Sequence, residues 1–255
     1  MAKALVKWPE VNLVEGDPTM ATETKTPDRD ASAAKTAEKP PTLEAGDHLD
    51  RAEFERRYDA MPNLKKAELI EGIVHMSSPV SLEHHGEPHA SLVGWMLVYR
   101  VWTPGVRAVD NASVRLDAQT MLQPDAALFI EPGKGGQARI GLDDYLEGAP
   151  ELVAEVSSST VDVDLSVKLD LYRRSGVREY LVWRVEDEAL DWFVLKDGAY
   201  ERLPMDGAVV DRSLVFPGLW LDSRALVAGD LARVLAVLAE GLASAEHATF
   251  KARLG

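Results

Sequence analysis

The 255-residue sequence contains no cysteine. That excludes disulfides, thiolate zinc sites and cysteine nucleophiles together, and it gives no support for an oxidising compartment. Long apolar runs are also missing: none approaches the roughly 20 residues that cross a bilayer as a helix, so no membrane partner is expected. The N-terminal MAKALVKWPEVNLVEGD has no long apolar stretch ahead of a small-residue cleavage pattern, which makes the cytoplasm the expected compartment. Basic side chains are in deficit, 28 Lys and Arg against 42 Asp and Glu, for a net charge of −14. Broad nonspecific nucleic-acid binding needs an excess of lysine and arginine on some face, so this charge argues against it but leaves room for a local basic groove.

With 46% hydrophobic residues, the chain can fill a substantial core. Residues 14–47 are instead rich in Thr, Ala, Pro, Lys and acids without apolar periodicity, and 1–47 reads as a disordered acidic leader. Six basic and nine acidic side chains lie in 1–47, net −3, so −11 belongs to the folded part.

Order is expected from Asp50, where Asp50-Arg51-Ala52-Glu53 has capping-box spacing ahead of Phe54 and Tyr58. Ala67–Ile70 and Ile73–Met76 flank Glu71-Gly72 as a two-residue hairpin. Leu92, Trp95, Met96, Tyr99 and Trp102 mark an amphipathic helix over Glu83–Trp102, closed by Thr103-Pro104-Gly105. Strands are expected at Val106–Leu116, Pro124–Ile130 and Leu152–Val156, then a helix from Asp164 to Arg174 stopped by Ser175-Gly176, then the strand Tyr180–Trp183. Leu190–Leu195 and Ala199–Leu203, joined by Lys196-Asp197-Gly198, read as an appended hairpin, and Leu231, Leu235, Leu238 and Leu242 as one stripe of a C-terminal helix. This alternation specifies an α/β core.

Two charges stand at the margins of buried-looking strands: Asp125 at the start of PDAALFI and Glu155 near the end of LVAEV. Asp125 alone reads as an ordinary turn residue after Pro124. Glu155 among Leu152, Val153, Ala154 and Val156 is expensive unless paired or solvated. If the strands are neighbours, both carboxylates can converge on one divalent cation, because magnesium is held by one or two carboxylates plus water and substrate phosphate. Lys168 follows close enough in sequence to reach the same point, although Asp164 and Lys168 also fit a plain i, i+4 helix pair. His85 and His89, four apart at a helix start, raise a metal question too, against the plainer reading of solvent-facing caps.

In this order, ELIEG, IVHMSSP, EHHG, PDAALFIE and ELVAEVSSST, followed by Asp164, Lys168, Leu171-Tyr172 and SGVREYLVW, resemble the Uma-two family of restriction-endonuclease-like proteins within the PD-(D/E)xK nuclease superfamily. The resemblance runs from about Glu53 to Leu203, and FPGLWL with the helix after it resembles a C-terminal extension of some members. It implies a nuclease-like domain over 48–222 and a helical extension over 223–255. The implied fold is a restriction-endonuclease-like core, a central mixed sheet flanked by helices, with the site where two adjacent strands diverge. Pro124-Asp125 match the PD element and Glu155 the following acid, while Ser157 stands where the motif places its lysine; Lys168 matches a lysine that the family carries in the next helix.

The resemblance implies a metal-dependent endonuclease acting on DNA. Asp125 and Glu155 would hold Mg2+, with Mn2+ as an alternative, and Lys168 would orient the nucleophile or stabilise the pentacovalent transition state. Glu68 and Glu71 match acidic positions of the family, though Glu71 equally fits a turn role, and His85 is implied near the site, binding phosphate or positioning water. Arg173, Arg174 and Arg178 read as solvated surface or as a phosphate-contacting patch, and the C-terminal leucine stripe as core packing or a homodimer contact. A nuclease-fold protein that binds nucleic acid or protein without cleaving remains the alternative.

Overall fold

A computed structural model of the chain describes residues 40–77, 79–203 and 210–255. Helix α1 (Arg51–Asp59) leads to the hairpin β1 (Ala67–Ile70) and β2 (Ile73–Met76), and a π turn at Leu82–Gly86 runs directly into α2 (Glu87–Trp102). Then come β3 (Val106–Asp110), β4 (Val114–Arg115), β5 (Met121–Leu122), β6 (Ala126–Ile130), β7 (Arg139–Ile140), β8 (Leu146–Glu147) and β9 (Leu152–Ser157). Helices α3 (Val161–Asp164) and α4 (Val167–Ser175) cross over to β10 (Glu179–Arg184), β11 (Ala189–Lys196) and β12 (Ala199–Arg202). The chain closes with β13 (Asp211–Arg212), β14 (Trp220–Leu221), α5 (Ser223–Val227), α6 (Leu231–Leu242) and α7 (Ala245–Leu254).

The sequence's local devices work as chemistry dictates. Asp50 caps α1, its carboxylate accepting from the Glu53 N–H at 2.8 Å, but Glu53 turns its own carboxylate to Arg56 and Arg57 rather than closing a capping box. Both hairpin turns have two successive residues at positive φ, Glu71 at 50° with Gly72 at 82°, and Asp197 at 48° with Gly198 at 81°. Those are the angles of a two-residue type I′ turn, which matches the twist of the strands it joins.

The central sheet is mixed, in the order β12-β11-β10-β9-β6-β3, with β9 and β10 parallel across the α3–α4 crossover and the other pairs antiparallel. Helices flank it, as expected. One face, with Leu128, Ala154 and Leu181, packs on α2, α6 and α7; the other, with Ala127, Val153 and Val182, packs on Leu171 and Tyr172 of α4 and on Ile70 and Leu122. Burial on both faces explains why these strands read as continuous apolar runs.

Several expectations need correction. The Val106–Leu116 run is not one strand: it breaks at Asn111, whose φ is 50°, and its ends pair in different sheets. The β1–β2 hairpin is extended into a second sheet, β2-β1-β5-β4-β8-β7, by short strands that the sequence does not announce. The Asp164–Arg174 helix is two helices broken at Leu165-Ser166. The appended hairpin is instead the edge of the central sheet, because β11 pairs with β10 along its length. The single C-terminal helix is three, and Val234, Leu238, Leu242, Phe250 and Leu254 join the main core while Leu231 stays exposed. Of the expected leader, 1–39 lies outside the described residues; the part after it is tied down, with Leu43 buried and the Gly46 N–H donating to the Val74 carbonyl. Among the described residues, no helix is long and apolar enough to cross a membrane.

Candidate active site

Register places the two carboxylates. Ala126 of β6 stands opposite Ala154 of β9 in an antiparallel pair, so the preceding Asp125 comes opposite Glu155, on the sheet face shared with Ala127 and Val153. The Asp125 N–H points to Glu155 Oε2 at 3.4 Å, and Asp125 Oδ2 accepts from the Val156 N–H at 2.9 Å. Both residues are buried.

Helix α4 brings Lys168 to the same point. Its amine lies 3.0 Å from Glu155 Oε1, 3.2 Å from Glu68 Oε2 and 3.7 Å from Asp164 Oδ1. One turn further along the same helix face, the Tyr172 hydroxyl donates to Glu155 Oε1 at 2.9 Å. Glu68, on β1, also accepts from the Gln123 N–H at 2.8 Å. The structure thus gathers Asp125, Glu155, Lys168 and Glu68, drawn from both sheets and α4. Ser157, on the same strand, bonds Thr160 at 3.2 Å, and Thr160 in turn donates to Asp164 at 2.6 Å.

The histidines are not the solvent-facing helix caps of the plainer reading. Neither π turn nor α2 has a capping side chain. The rings stack at 5.6 Å; His85 Nδ1 lies 3.1 Å from the Val156 carbonyl, and His89 Nε2 lies 2.9 Å from the Asp125 carbonyl and 3.0 Å from Asp110. A carbonyl can only accept, so Nδ1 of His85 carries a proton and its Nε2 faces Asp125 Oδ1 at 3.8 Å. Glu71 does not join: it occupies the exposed hairpin turn and pairs with Arg174 at 2.6 Å. Arg173 and Arg174 share Asp170, and Arg178 donates to Gln137, so these arginines are engaged on the protein's own surface.

Two participants, Lys66 and Tyr172, are not read as site residues from the sequence. Lys66, just before β1, contacts Asp125 Oδ1 at 3.1 Å. Its two-residue offset from Glu68, which puts both on one strand face, was the available signal. Tyr172 is four residues beyond Lys168, and Asp164 reaches the amine from the end of α3 across the helix break.

Charge within the cluster is finely opposed. Burial pushes the Asp125 carboxyl up, but Lys66, the Val156 N–H and His85 outweigh it and hold it below the ordinary range. Burial drives Glu155 up to about 8 despite Lys168, with Asp125, Asp164 and Glu68 adding repulsion. Burial would lower Lys168, yet Glu155, Glu68 and Asp164 keep it well above its ordinary value, and Lys66 is raised in the same sense by Asp125, Glu155 and Glu68. Each strand carboxylate therefore has one anchored oxygen, Asp125 Oδ2 and Glu155 Oε1, and one less engaged, Asp125 Oδ1 and Glu155 Oε2. Among the described residues, no group of three or more His, Asp or Glu forms a ready-made metal cage. Two facing carboxylates are a donor set that suits a hard cation whose remaining shell is water and substrate oxygen, with Lys66 the group that would give way at Asp125 Oδ1.

Residues 51–224 match the family described as "Uma2: Putative restriction endonuclease". Among solved structures, the crystal structure of "a putative nuclease belonging to DUF820" from Anabaena variabilis ATCC 29413 is similar over 67% of this chain and 96% of its own, at 14% identity and a TM-score of 0.51. That likeness concerns the fold. No curated protein matches the chain.

Proposed function

The chain belongs to the Uma2 family, and from that premise we propose that it is a metal-dependent endonuclease hydrolysing phosphodiester bonds in DNA, with a PD-(D/E)xK site whose lysine has moved from position 157 into α4. The observation that carries this reading is the placement of Asp125 and Glu155 at opposed register positions on one sheet face, each with one oxygen anchored within the cluster and the other, Asp125 Oδ1 beside Lys66 and Glu155 Oε2 beside the Asp125 N–H, in a longer contact. Asp125 Oδ1 and Glu155 Oε2 would hold Mg2+, or Mn2+ in its place. The ion supplies a lowered water pKa and countercharge for the phosphate.

The protein's own part is positioning. The Val156 N–H fixes the Asp125 carboxylate in rotation, and Tyr172 with Lys168 fixes Glu155. Lys168 also lies 3.0 Å from Glu155, 3.2 Å from Glu68 and 3.7 Å from Asp164, and its positive charge offsets the repulsion among these buried acids. Such prealigned charge needs little reorganisation as the transition state forms, which is where electrostatic catalysis acts.

The test is cleavage of supercoiled plasmid and single-stranded DNA with Mg2+, Mn2+ or EDTA. Wild type is expected to cleave only with metal, and Asp125→Asn and Glu155→Gln to lose roughly 10²-fold or more, the scale on which a single charge-stabilising group acts. Equal behaviour of wild type and both variants overturns the reading, and metal-insensitive DNA binding without cleavage favours a non-catalytic binding module.

A further inference from the structure

Two lysines enter the carboxylate cluster, and they differ in what they have left to offer. The Lys168 side chain is 8% exposed, and its amine faces Glu155, Glu68 and Asp164. An ammonium has three protons. Two of them go to Glu155 and Glu68 within hydrogen-bond distance and the third side faces Asp164 at 3.7 Å, so a substrate oxygen would have to come between the amine and a carboxylate in a buried setting.

Lys66 is placed differently. Its side chain is 23% exposed and, among the described residues, has one carboxylate partner, Asp125 Oδ1 at 3.1 Å. That oxygen is also the one facing His85 Nε2, whose side chain is 19% exposed, while the other Asp125 oxygen is bound to the Val156 N–H. The accessible side of Asp125 is thus framed by Lys66 and His85, and the enclosed side of the cluster by Lys168 and Tyr172. Lys66 sits in the stretch between α1 and β1, outside any helix or strand, on a four-carbon stem with rotational freedom.

We infer that Lys66, rather than Lys168, is the lysine that contacts the scissile phosphate, and that Lys168 acts as a positioning residue for Glu155 and Glu68. This rests on the nuclease reading above. A phosphate arriving over Asp125 meets the Lys66 amine at the edge of the site. The amine then exchanges part of its contact with Asp125 for a non-bridging phosphate oxygen, keeping an anionic partner throughout, so no charge is stranded. Lys168 stays where it is, because withdrawing it would leave three carboxylates facing one another.

The test uses the full chain and its Lys66→Met and Lys66→Arg variants. Three readouts are needed: thermal unfolding, plasmid cleavage in Mg2+ at saturating DNA, and duplex binding in Ca2+ by anisotropy across a salt series. Lys66→Met is expected to unfold within a few degrees of wild type. Its cleavage rate should fall tenfold or more, with partial recovery in Lys66→Arg. The slope of log Kd against log salt should shrink by about 0.9, the value of one lost phosphate contact. A structural role alone would not move that slope. If wild type cleaves and Lys66→Met cleaves and binds with an unchanged rate and slope, the inference on Lys66 is overturned while the nuclease reading stands. If wild type binds DNA without cleaving, the nuclease reading fails, and an unchanged slope in Lys66→Met also removes the phosphate contact. If wild type neither binds nor cleaves, both are overturned.

Discussion

Replacing Lys168 with methionine keeps most of the side-chain volume and deletes the charge that three buried carboxylates share. The amine lies 3.0 Å from Glu155, 3.2 Å from Glu68 and 3.7 Å from Asp164. Removing one partner of a buried ion pair costs about 3–5 kcal/mol, because the remaining charges are left uncompensated. For a domain of this size, that corresponds to a fall in Tm of roughly 10 °C, at about 2–4 °C per kcal/mol. The cost must also depend on pH. Burial already raises Glu155 from 4.5 to about 8, and loss of the ammonium raises it further. A carboxyl raised in the folded state favours folding while protonated, and that contribution is lost as pH rises through the folded value. The deficit of Lys168→Met should therefore be smaller near pH 5, where Glu155 is protonated with or without the lysine, and larger at pH 8 and above, where the wild-type Glu155 ionises and the variant's does not. Urea denaturation followed by tryptophan fluorescence at both pH values measures it. A deficit under about 1 kcal/mol at pH 8, the level of an exposed pair, or one equal at both pH values, would refute the reasoning.

Tyr172→Phe removes the hydroxyl that donates to Glu155 at 2.9 Å but leaves the ring against Tyr180, so a loss of about 1.5–3 kcal/mol is expected by urea denaturation at pH 9, above the point near 8 where Glu155 ionises, as for a hydrogen bond to a charged group. A loss of a few tenths would show that the bond does not form. Burial raises Glu179 from 4.5 to about 7 against the bonds it accepts from Ser213 and the Leu214 and Val215 N–H groups, so wild-type stability should decline as pH rises through that window, by about 3 kcal/mol at most. Glu179→Gln should flatten that decline, and an unchanged slope assigns it elsewhere. At Gly241 a Cβ would stand 2.3 Å from the Gly218 carbonyl oxygen and 2.7 Å from the Trp220 ring, so Gly241→Ala should cost about 1–3 kcal/mol or more by overpacking where α6 docks. A neutral Gly241→Ala would mean that α6 is not held as tightly as the structure shows.

What could be read from sequence followed physical scale. Glu155 was conspicuous because a lone carboxylate in LVAEV is costly without a partner, and the structure supplies Lys168 and Tyr172. The long strands and α2 were legible because burial on one or both faces leaves a periodic trace over many residues. The second sheet was not, since Val114–Arg115, Met121–Leu122, Arg139–Ile140 and Leu146–Glu147 are two-residue strands, too short to carry any period. The break at Leu165-Ser166 was hidden for a related reason: Asp164 and Lys168 keep i, i+4 spacing, and their 3.7 Å contact survives although two helices supply it. Lys66 is harder to read because it precedes its strand and its partner lies 59 residues away, which leaves the two-residue offset from Glu68 as the one local sign of the pairing. Glu71 was placed beside the site by resemblance alone, whereas the turn geometry turns it out toward Arg174.

The central claim is that Asp125 and Glu155 together hold a divalent ion. Manganese binding read by electron paramagnetic resonance tests it without relying on turnover, by titrating Mn2+ into wild type, Asp125→Asn and Glu155→Gln and competing the signal with Mg2+. The account predicts a single ion per wild-type chain, displaced by Mg2+, and affinity at least tenfold weaker in each variant. A wild-type chain that binds no Mn2+, or an Asp125→Asn chain that binds it as tightly as wild type, would contradict it.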